Sequence, residues 1–111
     1  MLVNKEIEKQ LYSELSSLTK NKKIWEENID YVGSLLTNQS SKIIAKSLWM
    51  LGEMGLQYPN KTKFYINKIA SFLDSPYDLL RERSLITFVR KAHIDIVLLF
   101  MFLIVELKNN L

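Results

Sequence analysis

The sequence predicts an all-α protein, on three observations. Apolar residues recur at steps of three and four along nearly the whole chain, the spacing of a helix with one buried face. Three Gly and two Pro in 111 residues are too few for the turns of a β-sandwich or barrel. The polar breaks between periodic segments are only about three to five residues long, as between antiparallel helices.

The elements follow in order. The first helix carries Ile7, Leu11, Leu15 and Leu18, and the polar stretch 19–23 ends it. The second carries Trp25, Ile29, Val32 and Leu36. Residues 38–41 offer several side chains able to cap a third helix starting near Lys42. That helix carries Ile44, Leu48, Leu51 and Gly55, with Ile43, Ser47, Met50 and Met54 beside them, and Pro59 ends it because proline disfavours helix in the residue before it. The fourth carries Ile66, Ile69, Ala70 and Leu73. Asp74-Ser75-Pro76 is a stop and restart, since proline suits a first helical turn. The fifth carries Leu80, Ser84, Thr87 and Phe88. The sixth is Ile96–Val105, ten apolar residues without a break. Its length favours a helix, and its Ile, Val and Phe content makes a strand the competing reading for 94–107.

Composition narrows function. Fifteen Lys+Arg against twelve Asp+Glu leave a net charge of +3, too mild to argue for nucleic acid. Residues 1–30 hold five basic and six acidic groups, 31–75 five and two, 76–111 five and four. No Cys is present, so thiolate catalysis, zinc clusters and disulfides are excluded. The start of the chain is not a secretory signal, and a cytoplasmic location is expected. The apolar run falls short of the roughly 18 residues of a spanning helix and is fenced by Asp95 and Glu106, so no membrane span is expected.

A repeat organises the chain. Shifted by 37 residues, Ile29, Val32, Leu36 and Asn38 fall on Ile66, Ile69, Leu73 and Asp74, and Ile43, Ser47 and Leu51 fall on Leu80, Ser84 and Phe88. The unit is helix, turn, helix, turn, and stacked neighbours bury what one pair cannot. Ile43-Ile44-Ala45-Lys46-Ser47-Leu48-Trp49-Met50-Leu51-Gly52-Glu53-Met54-Gly55 resembles the first helix of a HEAT-like repeat, whose pattern reads V-R, two residues, A, two residues, A-L-G, one residue, I-G. Asp74, Leu80-Arg81 and Ser84 resemble the next copy. The resemblance implies a right-handed α-α superhelix of about six antiparallel helices in a single domain over 1–111, with hairpins at about 4–37, 41–74 and 77–109. It departs at Ile44, where the pattern has Arg, and after Thr87, where Phe88-Val89-Arg90-Lys91-Ala92 replaces L-G-x-I-G. A truncated or frame-altered member would show such a break.

No catalytic set is legible. His93, the one histidine, stands two residues from Asp95, and such neighbours do not share a helical face. Gly52-Glu53-Met54-Gly55 lies within a helix rather than after a strand, so it is not a phosphate loop. An enzyme, a cofactor, a metal site or a small-molecule substrate is therefore not expected. Glu26, Glu27 and Asp30 form an acidic face, and Lys61, Lys63 and Lys68 with Tyr65 a basic one. In the resembled stacks second helices line the concave surface, which implies a two-signed face for a protein partner. Trp49, Glu53, Asp74 and Arg81 are expected to be structural. The resemblance implies an Asp74–Arg81 pair, and in the stacked arrangement Glu53 lies near Arg81 or Arg83. Trp49 either packs against the preceding repeat, the preferred reading, or forms an exposed anchor.

A helix that is apolar all round leaves one face without a partner. Self-association is expected through Ile96, Leu99, Phe100, Phe102 and Leu103, most simply as a two-fold homodimer. The functional expectation is a non-catalytic scaffold for protein–protein interaction. The alternative is nucleic-acid binding, on a resemblance to bacterial alkylpurine DNA glycosylases, which are also built of HEAT-like repeats.

Overall fold

A computed structural model describes residues 3–91 and 102–110. Among them the chain is all-helical, without a strand. Helix α1 spans Lys5–Thr19. Asn4 caps it, its side chain accepting from the Glu6 and Ile7 amides at 3.0 and 3.2 Å. Glu6 and Glu8 sit in the first turn, where the helix dipole favours negative charge. A 3-10 turn, Lys22–Ile24, leads into α2, Trp25–Ser34, and a second, Leu35–Thr37, closes it.

Helix α3, Ser41–Gln57, starts where its cap residues are. The Ser40 hydroxyl accepts from the Ile43 amide at 3.2 Å and donates to a Glu8 carboxylate oxygen, tying the cap to α1. Tyr58 and Pro59 end α3, and Pro59 opens the single turn α4, Pro59–Thr62. The segment expected as one fourth helix is broken. A 3-10 turn, Lys63–Tyr65, separates α4 from α5, Ile66–Ser71, and another, Phe72–Asp74, follows. Helix α6 is Asp78–Lys91. The described end of the apolar run, 102–105, lies in a helical segment that continues to 109.

Several boundaries differ by 37 residues. The turns 35–37 and 72–74, the extended residues Asn38 and Ser75, and the starts of α3 and α6 all do so. The Ser34 and Ser71 hydroxyls each donate to the carbonyl three residues back, at 2.6 and 2.5 Å.

Helix α3 is the hub, packing against α1, α2 and α6. It is buried on several sides, through Ile43, Ala45, Ser47, Leu48, Met50, Leu51, Gly52 and Met54 among others. A helix apolar around most of its circumference belongs inside. Leu15 and Leu18 of α1, Trp25, Ile29 and Val32 of α2, then Leu36, Ile69 and Leu80 complete the core. Its polar groups are satisfied. The Trp25 indole N–H donates to the Leu18 carbonyl at 2.7 Å, and the Thr87 hydroxyl crosses from α6 to the Leu48 carbonyl at 2.7 Å. Gly52 admits that crossing: a Cβ there would lie 3.3 Å from the Thr87 hydroxyl oxygen.

Candidate partner-binding site

The two charged faces meet each other. Glu26 on α2 pairs with Lys61 on α4 at 3.2 Å, both half exposed. Asp30, one turn on, accepts a hydrogen bond from the Tyr65 hydroxyl at 2.5 Å. Partial burial and that bond push the Tyr65 phenol from 10 up to about 12, because ionising it would strand an anion beside Asp30. Tyr31 repeats the arrangement, donating to Glu14 on α1 at 2.7 Å and also rising to about 12, with partial burial again the larger cause. The Lys68 ammonium lies 5.5 Å from the Phe72 ring centre. Glu27 and Lys63 are exposed. So four of the seven residues expected to meet a partner are bound to one another, across the junction of α2 with the 59–65 segment.

The expected ion pairs are redistributed. Arg81 binds Asp78, one turn earlier on its own helix, and the Ser75 carbonyl at 2.7 Å, in place of Asp74. The i, i+3 spacing brings Asp78 within reach without any tertiary adjustment. Asp74 is exposed in its 3-10 turn. Glu53 pairs with Arg90 rather than with Arg81 or Arg83. Glu53 and Arg90 stand 37 residues apart, and the close pass of α6 over Gly52 brings the two to one height.

Of the expected self-association residues, Ile96, Leu99 and Phe100 lie outside the described residues, as does His93. Phe102 and Leu103 are exposed, and so are Ile104, Val105 and Leu107.

Trp49 belongs to a cleft that pattern reading missed. Half-buried on α3, it lines a space of about 220 Å³ with Tyr12 of α1, Lys42, Ala45 and Lys46 of α3, and Leu79 and Arg83 of α6. The Lys46 ammonium lies 4.9 Å from the Trp49 ring centre and 5.5 Å from that of Tyr12, and Lys42 lies 4.5 Å from Tyr12. Lys42, Lys46 and Arg83 have no carboxylate partner among the described residues. The signal available in the sequence was local: Lys42, Lys46 and Trp49 lie at helical spacing, and so do Leu79 and Arg83. That the two stripes face one cleft depends on the α3–α6 crossing.

Among the described residues, no group of three His, Cys, Asp or Glu side chains could hold a metal ion, and no helix is long and apolar enough to cross a membrane. No family model matches the sequence, and neither a curated protein nor a solved structure is detectably similar to it.

Proposed function

We propose that this chain is a short HEAT-like scaffold, a right-handed stack of helical hairpins. It carries no chemistry of its own, engages protein partners, and associates with itself through the apolar run. The observation that carries the reading is the exposure of Phe102, Leu103, Ile104, Val105 and Leu107, between 48% and 65% each. Successive residues on a helix are about 100° apart, so side chains this close in sequence point to several sides. Covering a Leu, Ile, Val or Phe side chain is worth roughly 1.5–3 kcal/mol. A helix with five such residues left in water gains several kcal/mol from a second apolar surface.

Two further observations support the scaffold reading. The 37-residue offset recurs in turns, caps and helix starts, as a stacked repeat requires. Leu85, Ile86 and Val89 of α6 are exposed, although they stand 37 residues after Leu48, Trp49 and Gly52 of α3, of which Leu48 and Gly52 are buried and Trp49 half-buried. The face that a next helix would cover is therefore apolar and open. Nucleic-acid binding would need a continuous basic track. Lys61, Arg81 and Arg90 are held by carboxylates, which removes them from one.

Size-exclusion chromatography with light scattering tests the reading. A dimer or larger species at micromolar concentration that becomes monomeric in the Phe102→Glu/Leu103→Glu variant supports it. A soluble wild-type monomer at the same concentration overturns it.

A further inference from the structure

We infer that the cleft between α1, α3 and α6 is a seat for an acidic peptide segment, receiving a carboxylate side chain among Lys42, Lys46 and Arg83 with an apolar neighbour against Trp49 and Leu79. This site is separate from the self-association surface at 102–107.

The charge is the first argument. Elsewhere Lys61 pairs with Glu26, Arg81 with Asp78 and Arg90 with Glu53. In the cleft, three cations converge without one among the described residues. Like charges brought together cost free energy, which an entering anion recovers.

Preorganisation is the second. Tyr12 and Trp49 hold the two ammonium groups over their rings, at 4.5–5.5 Å from the ring centres. A cation on a ring face keeps its other side open for an oxygen. Side chains already placed lose less freedom on binding. Arg83 reaches the same space from α6, where its planar fork matches a carboxylate.

Size and surroundings choose the partner class. A space of about 220 Å³ is smaller than the roughly 300–1,000 Å³ that encloses a drug-sized ligand, so it takes side chains of a larger molecule. The cations cluster at one point, and Lys61, Arg81 and Arg90 beyond it are held by carboxylates, which removes them from any track along a phosphate backbone. Leu79 and the Trp49 ring supply the apolar wall that an aliphatic residue beside an acid would fill.

The test is fluorescence anisotropy of a labelled peptide alternating Glu and Leu, titrated with the full chain at low salt. A peptide with Lys in place of Glu and a single-stranded oligothymidylate of equal charge run in parallel. Saturable binding of the acidic peptide, weakened about tenfold or more by Lys46→Gln and by Arg83→Gln and unchanged by Lys23→Gln, supports the site. Trp49 fluorescence should shift on binding, and the shift should vanish in Trp49→Phe, since Trp25 is buried elsewhere. Circular dichroism checks that each variant is folded, and Arg83→Lys stands in should Arg83→Gln unfold. The inference is overturned by absence of saturable binding, by affinity equal in both Gln variants and wild type, or by tighter binding of the oligonucleotide or of the Lys peptide. Light scattering reads self-association independently, so either proposal can fail alone.

Discussion

Gly33 offers the sharpest test of the α2 packing, because its substitution should change sign with the background. The residue is buried within α2, and a Cβ placed there would lie 2.2 Å from Tyr65 Cε1, 2.3 Å from Cζ and 2.8 Å from Cδ1. Carbon atoms in contact sit about 3.5–4.0 Å apart, so the ring must retreat by about 1.3 Å or more. Such a retreat separates the Tyr65 hydroxyl from Asp30. Overpacking of this kind costs about 1–3 kcal/mol, and the lost hydrogen bond about 0.5–1.5 kcal/mol. Against this, alanine is better than glycine inside a helix by about 0.5–1 kcal/mol. The net expectation for Gly33→Ala is a loss of about 1–3 kcal/mol, measured by urea unfolding followed by circular dichroism. In a Tyr65→Ala background the ring is gone and only the helix term remains, so the same substitution should stabilise by about 0.5–1 kcal/mol. Equal changes in the two backgrounds, or a stabilising Gly33→Ala in the native one, would refute the reasoning, because the glycine would then not be set by the tyrosine.

Other outcomes follow from named contacts. Tyr31 and Tyr65 have folded pKa values near 12 against about 10 unfolded, so their protonated forms stabilise the fold below pH 10. That contribution should be lost as pH rises from 10 to 12. Absorbance titration at alkaline pH should show a late tyrosine phase near pH 12, and Tyr31→Phe/Tyr65→Phe should diminish it. Thr87→Val keeps the shape and deletes the donor to the Leu48 carbonyl, and should cost about 1 kcal/mol, or roughly 4 °C in Tm. Ser40→Ala removes both the α3 cap and the link to Glu8, and thermal melts should show a loss of about 1–2 kcal/mol, reduced in a Glu8→Gln background. A double-mutant cycle on Glu53 and Arg90 should give a coupling below about 1 kcal/mol, because the pair is partly exposed.

What could be read from the chain alone was whatever depends on near neighbours. Steps of three and four in apolar residues announce helices, since the helix itself sets that period. Ser40 and Pro59 mark the start and end of α3 because capping and the missing proline N–H act within one turn. Unbroken apolar spacing predicts a continuous fourth helix, while the 3-10 turn at Lys63–Tyr65 splits it and stands where Tyr65 reaches Asp30 and Gly33. Local pattern carries no information on such a break. It carries none on pairing across helices either, which is set by crossing geometry. So Glu26 and Lys61, expected on a two-signed face for a protein partner, meet each other, and Glu53 finds Arg90 37 residues on. The cleft is the clearest case. Tyr12, Trp49 and Arg83 sit on three helices, and only the packing of α1 and α6 against α3 brings two rings and three cations together. Helical content follows from short-range backbone and side-chain chemistry that the sequence states outright. The site follows from which faces the core buries, and that is decided only when the helices pack.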